Sequence, residues 1–281
     1  MCRLFAQIAP GISTAEDFLV SQRWSLLNQS RWDKNNLQKD GWGIGYFNQK
    51  HKPVVLKSPK AAFRETKKFQ CAAALAHSCA ILGHLRAASN PLNLPMKKLI
   101  SKKNSQPFTD GKWIFIHNGT VEIPNEVADS LGPLKKKIMS SNDSEVYFWH
   151  FIKNYRKTKD AVKALRLCVK DLWALWRTSG QRRHPEKTKP YTSLNTIVSD
   201  GSRLYALCHS LARPNISKSL CRKNQLWTIM SWSKRGNRLV VASEDMDRRH
   251  WNHFKNGEIL SASMGKNGIK ISHFPLNTAA Q

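Results

Sequence analysis

Acidic residues are scarce in this chain of 281 residues: 19 Asp and Glu stand against 46 Lys and Arg, a formal charge of +27. Such a balance bears on partners and on attraction to polyanions, not on fold. The basic residues are spread along the whole sequence, in short clusters such as Lys135 to Lys137 and Arg182-Arg183. The stretch from Leu211 to Val240 carries seven Lys or Arg and no acid. A nucleic-acid module concentrates its charge on one helix or tail, so this pattern reads first as a basic solvated surface.

Other absences narrow the class further. No run of about 18 apolar residues occurs, so no membrane-spanning helix is expected. Glu16 and Asp17 interrupt the apolar start before any secretory h-region forms, so no signal peptide is expected. The six cysteines contain no CxxC pair, a pattern of reduced thiols in a cytoplasmic protein. Cys71, His77, Cys79 and His84 lie close in sequence, but their spacing matches no common zinc pattern, and no metal or cofactor is expected. Gly41-Trp42-Gly43-Ile44-Gly45 is GxGxG rather than GxGxxG and opens no helix, which excludes a dinucleotide loop. Close backbone approach explains those glycines better.

What is present suffices for a packed α+β domain, since apolar residues make up 41%. Cys2 to Ile8 reads as a strand ending at Pro10-Gly11, and Ser13 with Glu16 as the start of a helix to about Leu27. Strands follow over Gly41 to Phe47, Val54 to Lys57, Ala80 to Arg86 and Trp113 to His117, with a helix over Thr66 to His77. Asn90 to Asp110 is a long polar loop of the kind that often forms a binding lid. Asn142 and Glu145 open a helix with Phe148, Phe151, Ile152 and Tyr155 on one face. Val162, Leu165, Val169, Leu172 and Trp176 define a second helix, and Arg177 to Pro190 reads as a flexible connection. The final third is β-rich, with hairpins about Asp200-Gly201 and Gly236-Asn237 and a last pair over Glu258 to Ser263 and Gly268 to Phe274. In the second hairpin the first strand is expected over Gln225 to Ser231. Strands at both ends with helices between them predict layers of largely antiparallel sheet.

Four polar segments sit at predicted strand ends or helix starts: Cys2-Arg3-Leu4-Phe5, Gly83 to Ser89, His117-Asn118-Gly119, and Ser141 to Glu145. Singly each has a plain reading: a buried strand thiol, an ion-pair arginine, a turn, a helix-start aspartate. Together they supply the parts for hydrolysing a γ-glutamyl amide. An N-terminal thiol at Cys2 would have its own α-amine as general base. The Asn118 side-chain amide and the Gly119 N–H suit an oxyanion. Arg86 suits the substrate's α-carboxylate and Asp143 its α-ammonium.

With these residues in hand, the sequence resembles the class II glutamine amidotransferases, which are N-terminal-nucleophile hydrolases, and most nearly their stand-alone amidotransferases and γ-glutamyl hydrolases. The matching elements are MCRLF, DGWGIGYF (Asp40 to Phe47), GHLRAAS (Gly83 to Ser89), SQPF (Ser105 to Phe108), HNG (His117 to Gly119), SNDSE (Ser141 to Glu145) and VASE (Val241 to Glu244). The resemblance implies a four-layer αββα sandwich of two largely antiparallel sheets. It implies one domain over 2–281, with catalytic motifs in 2–145 and a β-rich completion over about 191–281. It also implies removal of Met1 to free Cys2, an oxyanion hole at Asn118 and Gly119, and substrate clamps at Arg86 and Asp143. Gln106, Pro107, Phe108 and His117 would line the glutamine pocket. One departure is visible: relatives often carry proline after the VASE-like segment, where this chain has Asp245-Met246-Asp247; the leaving group is expected to contact loops such as Asn90 to Asn104 and the β-rich end.

The first functional expectation is a cysteine-dependent amidohydrolase acting on glutamine or a γ-glutamyl small molecule through a glutamyl-thioester. The second is a glutaminase component that delivers ammonia to a separate partner protein, since no nucleotide-binding loop is visible. The third, from another class, is a basic protein that binds nucleic acid on the same fold, drawn from the basic and aromatic interleaving of Trp227 to Arg238.

Overall fold

Strict alternation of apolar side chains builds the centre of the molecule. In β1 (Arg3–Ser13), Leu4, Ala6 and Ile8 point to one face and Phe5 to the other. The computed structural model describes residues 2–34, 37–212, 225–265 and 268–276. Met1, Cys221 and much of the basic stretch after Leu211 therefore lie outside the described residues.

The remaining strands are β2 (Trp42–Phe47), β3 (Pro53–Ser58), β4 (Ser78–Leu85), β5 (Phe108–Thr109), β6 (Ile114–Asn118), β7 (Asn195–Ser199), β8 (Arg203–Cys208), β9 (Ser231–Arg235), β10 (Arg238–Ala242), β11 (Asn252–His253), β12 (Glu258–Gly265) and β13 (Gly268–Pro275). They form a seven-stranded sheet in the order β11-β9-β10-β1-β4-β2-β3 and a six-stranded sheet in the order β13-β12-β8-β7-β6-β5. Every strand pairing in both sheets is antiparallel. Leu4, Ala6, Leu82, Ile114, Ile116, Ile197 and Ala206 pack into one cluster between the sheets.

Helices cover the two outer faces. Phe18, Leu19, Leu26, Phe69 and Ala73 pack on Phe5, Ile44, Ile81 and Leu85 of the first sheet. The helices Asp143–Thr158 and Ala161–Leu175 lay Phe148, Phe151, Leu165, Val169 and Leu172 on Phe115, Val198 and Leu207 of the second. The expected αββα layering is present.

Several local expectations need correction. Pro10-Gly11 does not end the first strand. The β1–β4 pairing becomes irregular after Ile8 and resumes at Ser13 with Ser78. Ser13 is consequently a strand residue whose hydroxyl accepts from Gln7, not a helix cap. The helix expected to Leu27 is broken into a wide turn over Asp17–Ser21 and a short helix Leu26–Gln29, which Ser25 caps. The first strand of the Gly236 hairpin is Ser231–Arg235, because the Gly236-Asn237 turn pairs Arg235 with Arg238. Arg177 to Pro190 is not a loose connection: Lys187 donates to the carbonyls of Glu122 at 2.6 Å and Pro91 at 3.1 Å.

The close-approach reading of the glycine-rich strand holds. A Cβ on Gly43 would stand 2.1 Å from the Gln106 carbonyl oxygen, so only glycine fits where the 105–108 segment crosses β2.

Candidate active site

The two sheets bring four of the sequence segments to one end of the sandwich. Cys2 immediately precedes β1, which is hydrogen-bonded between β4 and β10. β4 runs on into Arg86 to Ser89, and β6 ends at Asn118 with Gly119 following. Cys2, Ala87 to Ser89 and Asn118 to Thr120 line one cavity of about 290 Å³. Thr192, Ser193, Ser210, Ala212, Trp227 and Thr228 form the rest of its wall.

The Cys2 thiol is buried and lies 3.5 Å from the Ala87 carbonyl oxygen, to which it donates. Burial pushes its pKa up, while the Arg86 guanidinium pulls the other way. Cys2 therefore rests as a thiol, and attack by its sulfur would require a neighbouring base to take the proton.

Arg86 and Asp143 lie behind the cavity wall, 3% and 4% exposed. Burial lowers the Arg86 pKa, and the charges of Cys2, Asp40 and Asp143 oppose that shift. Its Nη1 donates to the Leu99 carbonyl at 2.7 Å and to the Asp40 carbonyl at 3.4 Å. Asp40 in turn accepts the Ala88 N–H at 2.8 Å, which fixes the loop carrying the cavity's Ala87 to Ser89 edge. Asp143 is the first residue of its helix, and Asn142 caps that helix by accepting the Ser144 N–H at 2.9 Å. The carboxylate accepts the Val121 N–H at 2.8 Å and the Ser89 hydroxyl at 3.4 Å. Burial raises the Asp143 pKa to about 6, against the pull of those donors and of Arg86.

At the end of β6 the backbone is locked from two sides. The Gln106 side-chain amide accepts the His117 N–H at 2.6 Å and donates to the His117 carbonyl at 3.0 Å. The His117 ring bridges Ser144 Oγ at 2.9 Å and the Ser193 carbonyl at 3.1 Å. The carbonyl can only accept, so Nε2 carries the proton and Nδ1 accepts from Ser144. Burial drops the His117 pKa to about 4, so the ring stays neutral near pH 7.

The sequence-derived assignments thus separate into two groups. Cys2, Asn118 and Gly119 meet at the cavity, with Arg86 and Asp143 against its back. Gln106, Pro107, Phe108 and His117 do not line it. Gln106 and His117 are the frame that holds the Asn118-Gly119 turn. Pro107 and Phe108 face a separate cavity of about 490 Å³ with Lys57 and Phe148. Asn90 to Asn104, expected beside the leaving group, is absent from the wall; through Leu99 it braces Arg86 instead. The β-rich end, also expected there, does supply the wall, through Thr192, Ser193, Ser210 and Thr228; isolated Ser and Thr gave no sequence signal as to which residues those would be. Among the described residues no cluster of three or more His, Cys, Asp or Glu is arranged to hold a metal, and no helix is long and apolar enough to cross a membrane.

Comparison with known proteins agrees with this architecture. Residues 1–275 match the family model for class-II glutamine amidotransferases. A γ-glutamyl-hercynylcysteine sulfoxide hydrolase from Mycolicibacterium smegmatis is 29% identical over 210 residues, 73% of this chain and 78% of that protein. The protein of the same name from Mycobacterium tuberculosis is 35% identical over 86 residues, 31% of this chain and 34% of that one. Among solved structures, a glutamine aminotransferase class-II domain protein from Silicibacter pomeroyi superposes with a TM-score of 0.65 at 19% identity, over 98% of this chain and all of that one. Glutamine phosphoribosylpyrophosphate amidotransferase from B. subtilis superposes at 0.62 and 15% identity, over 99% of this chain and 50% of that one. At these identities the structural likenesses speak for the fold alone. With its family match over residues 1–275 and its two-sheet sandwich, the chain belongs to the class II glutamine amidotransferases.

Proposed function

We propose that the protein is a cysteine-dependent amidohydrolase that cleaves the γ-glutamyl amide of a γ-glutamyl compound through a glutamyl-thioester on Cys2. The observation that carries this reading is the convergence of Cys2, Asn118 and Gly119 on one cavity, with the Arg86 and Asp143 charges buried against it.

With Met1 removed, the Cys2 α-amine takes the thiol proton as sulfur attacks the amide carbon. The tetrahedral oxyanion is held by the Asn118 side-chain N–H and the Gly119 backbone N–H. Collapse breaks the C–N bond, the ammonium returns its proton to the departing amine, and a thioester remains. Water, deprotonated by the same amine, then releases glutamate and restores the thiol. Arg86 and Asp143 address the substrate's α-carboxylate and α-ammonium.

A leaving group larger than ammonia is favoured over ammonia delivery to a partner. The cavity continues past Cys2 to the wall of Thr192, Ser193, Ser210, Ala212, Trp227 and Thr228, none of which is charged. The mycobacterial relatives are named for hydrolysing a γ-glutamyl conjugate of this bulkier kind. The test is glutamate release from a panel of γ-glutamyl amides and glutamine, with Cys2→Ala alongside. The reading expects turnover by the native chain and none by the variant; full activity in Cys2→Ala would sink it.

A further inference from the structure

The VASE segment has no part in the chemistry above, yet its last residue is bound to the neighbour of the nucleophile. Glu244 Oε1 lies 3.0 Å from Arg3 Nε, and the two side chains are 0% and 3% exposed. Arg3 Nη1 reaches back to the Cys2 carbonyl oxygen at 3.4 Å. Glu244, Arg3 and Cys2 thus form a continuous polar chain inside the protein.

Stability alone is a poor reason for such a pair. Taking both charges out of water costs several kcal/mol per ion, and an apolar pair of the same volume often does as well or better. Its position gives a better reason. A nucleophile that is also the chain terminus cannot be held from its own N-terminal side. The β1–β10 ladder ends with Phe5 opposite Ala242, three residues short of Cys2. Side chains and one backbone bond take over from there. Leu4 N–H donates to Ser243 Oγ at 3.1 Å, and Ser243 N–H donates to the Leu4 carbonyl at 3.0 Å. The Arg3–Glu244 pair is the next rung, and the Cys2 carbonyl is the last group it reaches.

Resting on the reading of Cys2 as the nucleophile, we propose that Arg3 and Glu244 are a positioning pair that fixes the orientation of Cys2 for attack. The pairing has an electrostatic side as well. Glu244 offsets the Arg3 charge, while the N-terminal ammonium and, more weakly, Arg86 act on the thiol.

Two variants test the two aspects separately. Glu244→Gln keeps shape but removes the carboxylate charge that faces Arg3 beside Cys2. It should lower kcat by about 10- to 100-fold with little change in KM, as misplacement of a nucleophile does. It should also move the pH midpoint of Cys2 alkylation by iodoacetamide downward, read on the N-terminal peptide by mass spectrometry. The double replacement Arg3→Met with Glu244→Met removes both charges. It should leave the alkylation midpoint near that of the native chain, and the melting temperature within a few degrees, while kcat stays low. A folded Glu244→Gln variant with native kcat and an unmoved alkylation profile overturns the proposal. So does a double variant with native kcat. If instead the native chain releases no glutamate from any γ-glutamyl compound, the functional reading falls, and the alkylation profile still decides the positioning role.

Discussion

His117 Nε2 lies 3.1 Å from the Ser193 carbonyl oxygen, and the same oxygen stands 1.8 Å from where a Cβ on Gly119 would be. One carbonyl therefore anchors the ring that braces the Asn118-Gly119 turn and also forbids a side chain in that turn. Gly119→Ala should either push Ser193 away or twist the Gly119 N–H off the cavity. Loss of the Gly119 N–H as an oxyanion donor predicts a fall in kcat of about 10²–10³-fold. Steady-state glutamate release, with circular dichroism to confirm folding, checks it; an active Gly119→Ala would remove this turn from the mechanism.

In the proposed reaction Asp143 sets a pH limit. Its carboxyl must be ionised to pair with an α-ammonium, and burial has raised its pKa to about 6. The substrate's KM should therefore climb as pH falls through about 6, while the acid limb on kcat, set by the Cys2 amine near ~8, lies higher. A folded pKa above the unfolded one also means that the native state holds this proton more tightly. Its contribution to stability is thus greatest in acid and declines as pH rises through about 6. Asp143→Asn should then raise KM sharply yet leave the fold as stable or more so at pH 7, read by urea denaturation.

Much of this site was legible because each part is a short polar motif at the edge of an apolar segment. Asn142 and Glu145 announced the helix that carries Asp143, and the HNG turn marked the end of β6. Sheet pairing then brought those edges together, since Arg3 lies opposite Leu85 and Asn118 opposite Asn195. What the motifs did not reveal was which way each side chain points. Gln106 and His117 are polar residues beside the Asn118-Gly119 turn, and sequence cannot tell a substrate ligand from a backbone brace. The choice is made by the antiparallel crossing that puts the Gln106 amide in reach of both backbone groups of His117. The break after Ser21 was likewise hidden, because the apolar spacing of Phe18, Leu19, Leu26 and Leu27 suits one helix as well as two turns.

The brace itself is testable. Gln106→Leu keeps bulk but removes both partners of the His117 backbone, leaving a buried N–H and C=O unsatisfied. That should cost about 1–3 kcal/mol per orphaned group. The variant is predicted to lower the urea midpoint and to reduce kcat through the neighbouring Asn118-Gly119 turn, with KM much less affected. A Gln106→Leu protein that keeps native stability but loses substrate affinity would return Gln106 to the role the sequence suggested.

Acid should unfold the protein through its buried histidines. Burial lowers the pKa of His84 to about 3, and of His117 and His209 to about 4. Unfolding returns each to about 6.5, so between these values the unfolded chain binds more protons and stability falls as pH falls. At pH 5 each histidine contributes a loss of as much as about 2 kcal/mol relative to pH 7. Asp143 works in the opposite sense over the same range, with one group against three. Net destabilisation between pH 7 and pH 5 is the expected outcome, measured as the shift in urea midpoint. His117→Asn, whose amide does not titrate in this range, should flatten that slope by the share of a single histidine. An unchanged slope would mean that His117 already takes up its proton in the folded protein, and that the neutral bridge from Ser144 to Ser193 is not what holds the Asn118-Gly119 turn.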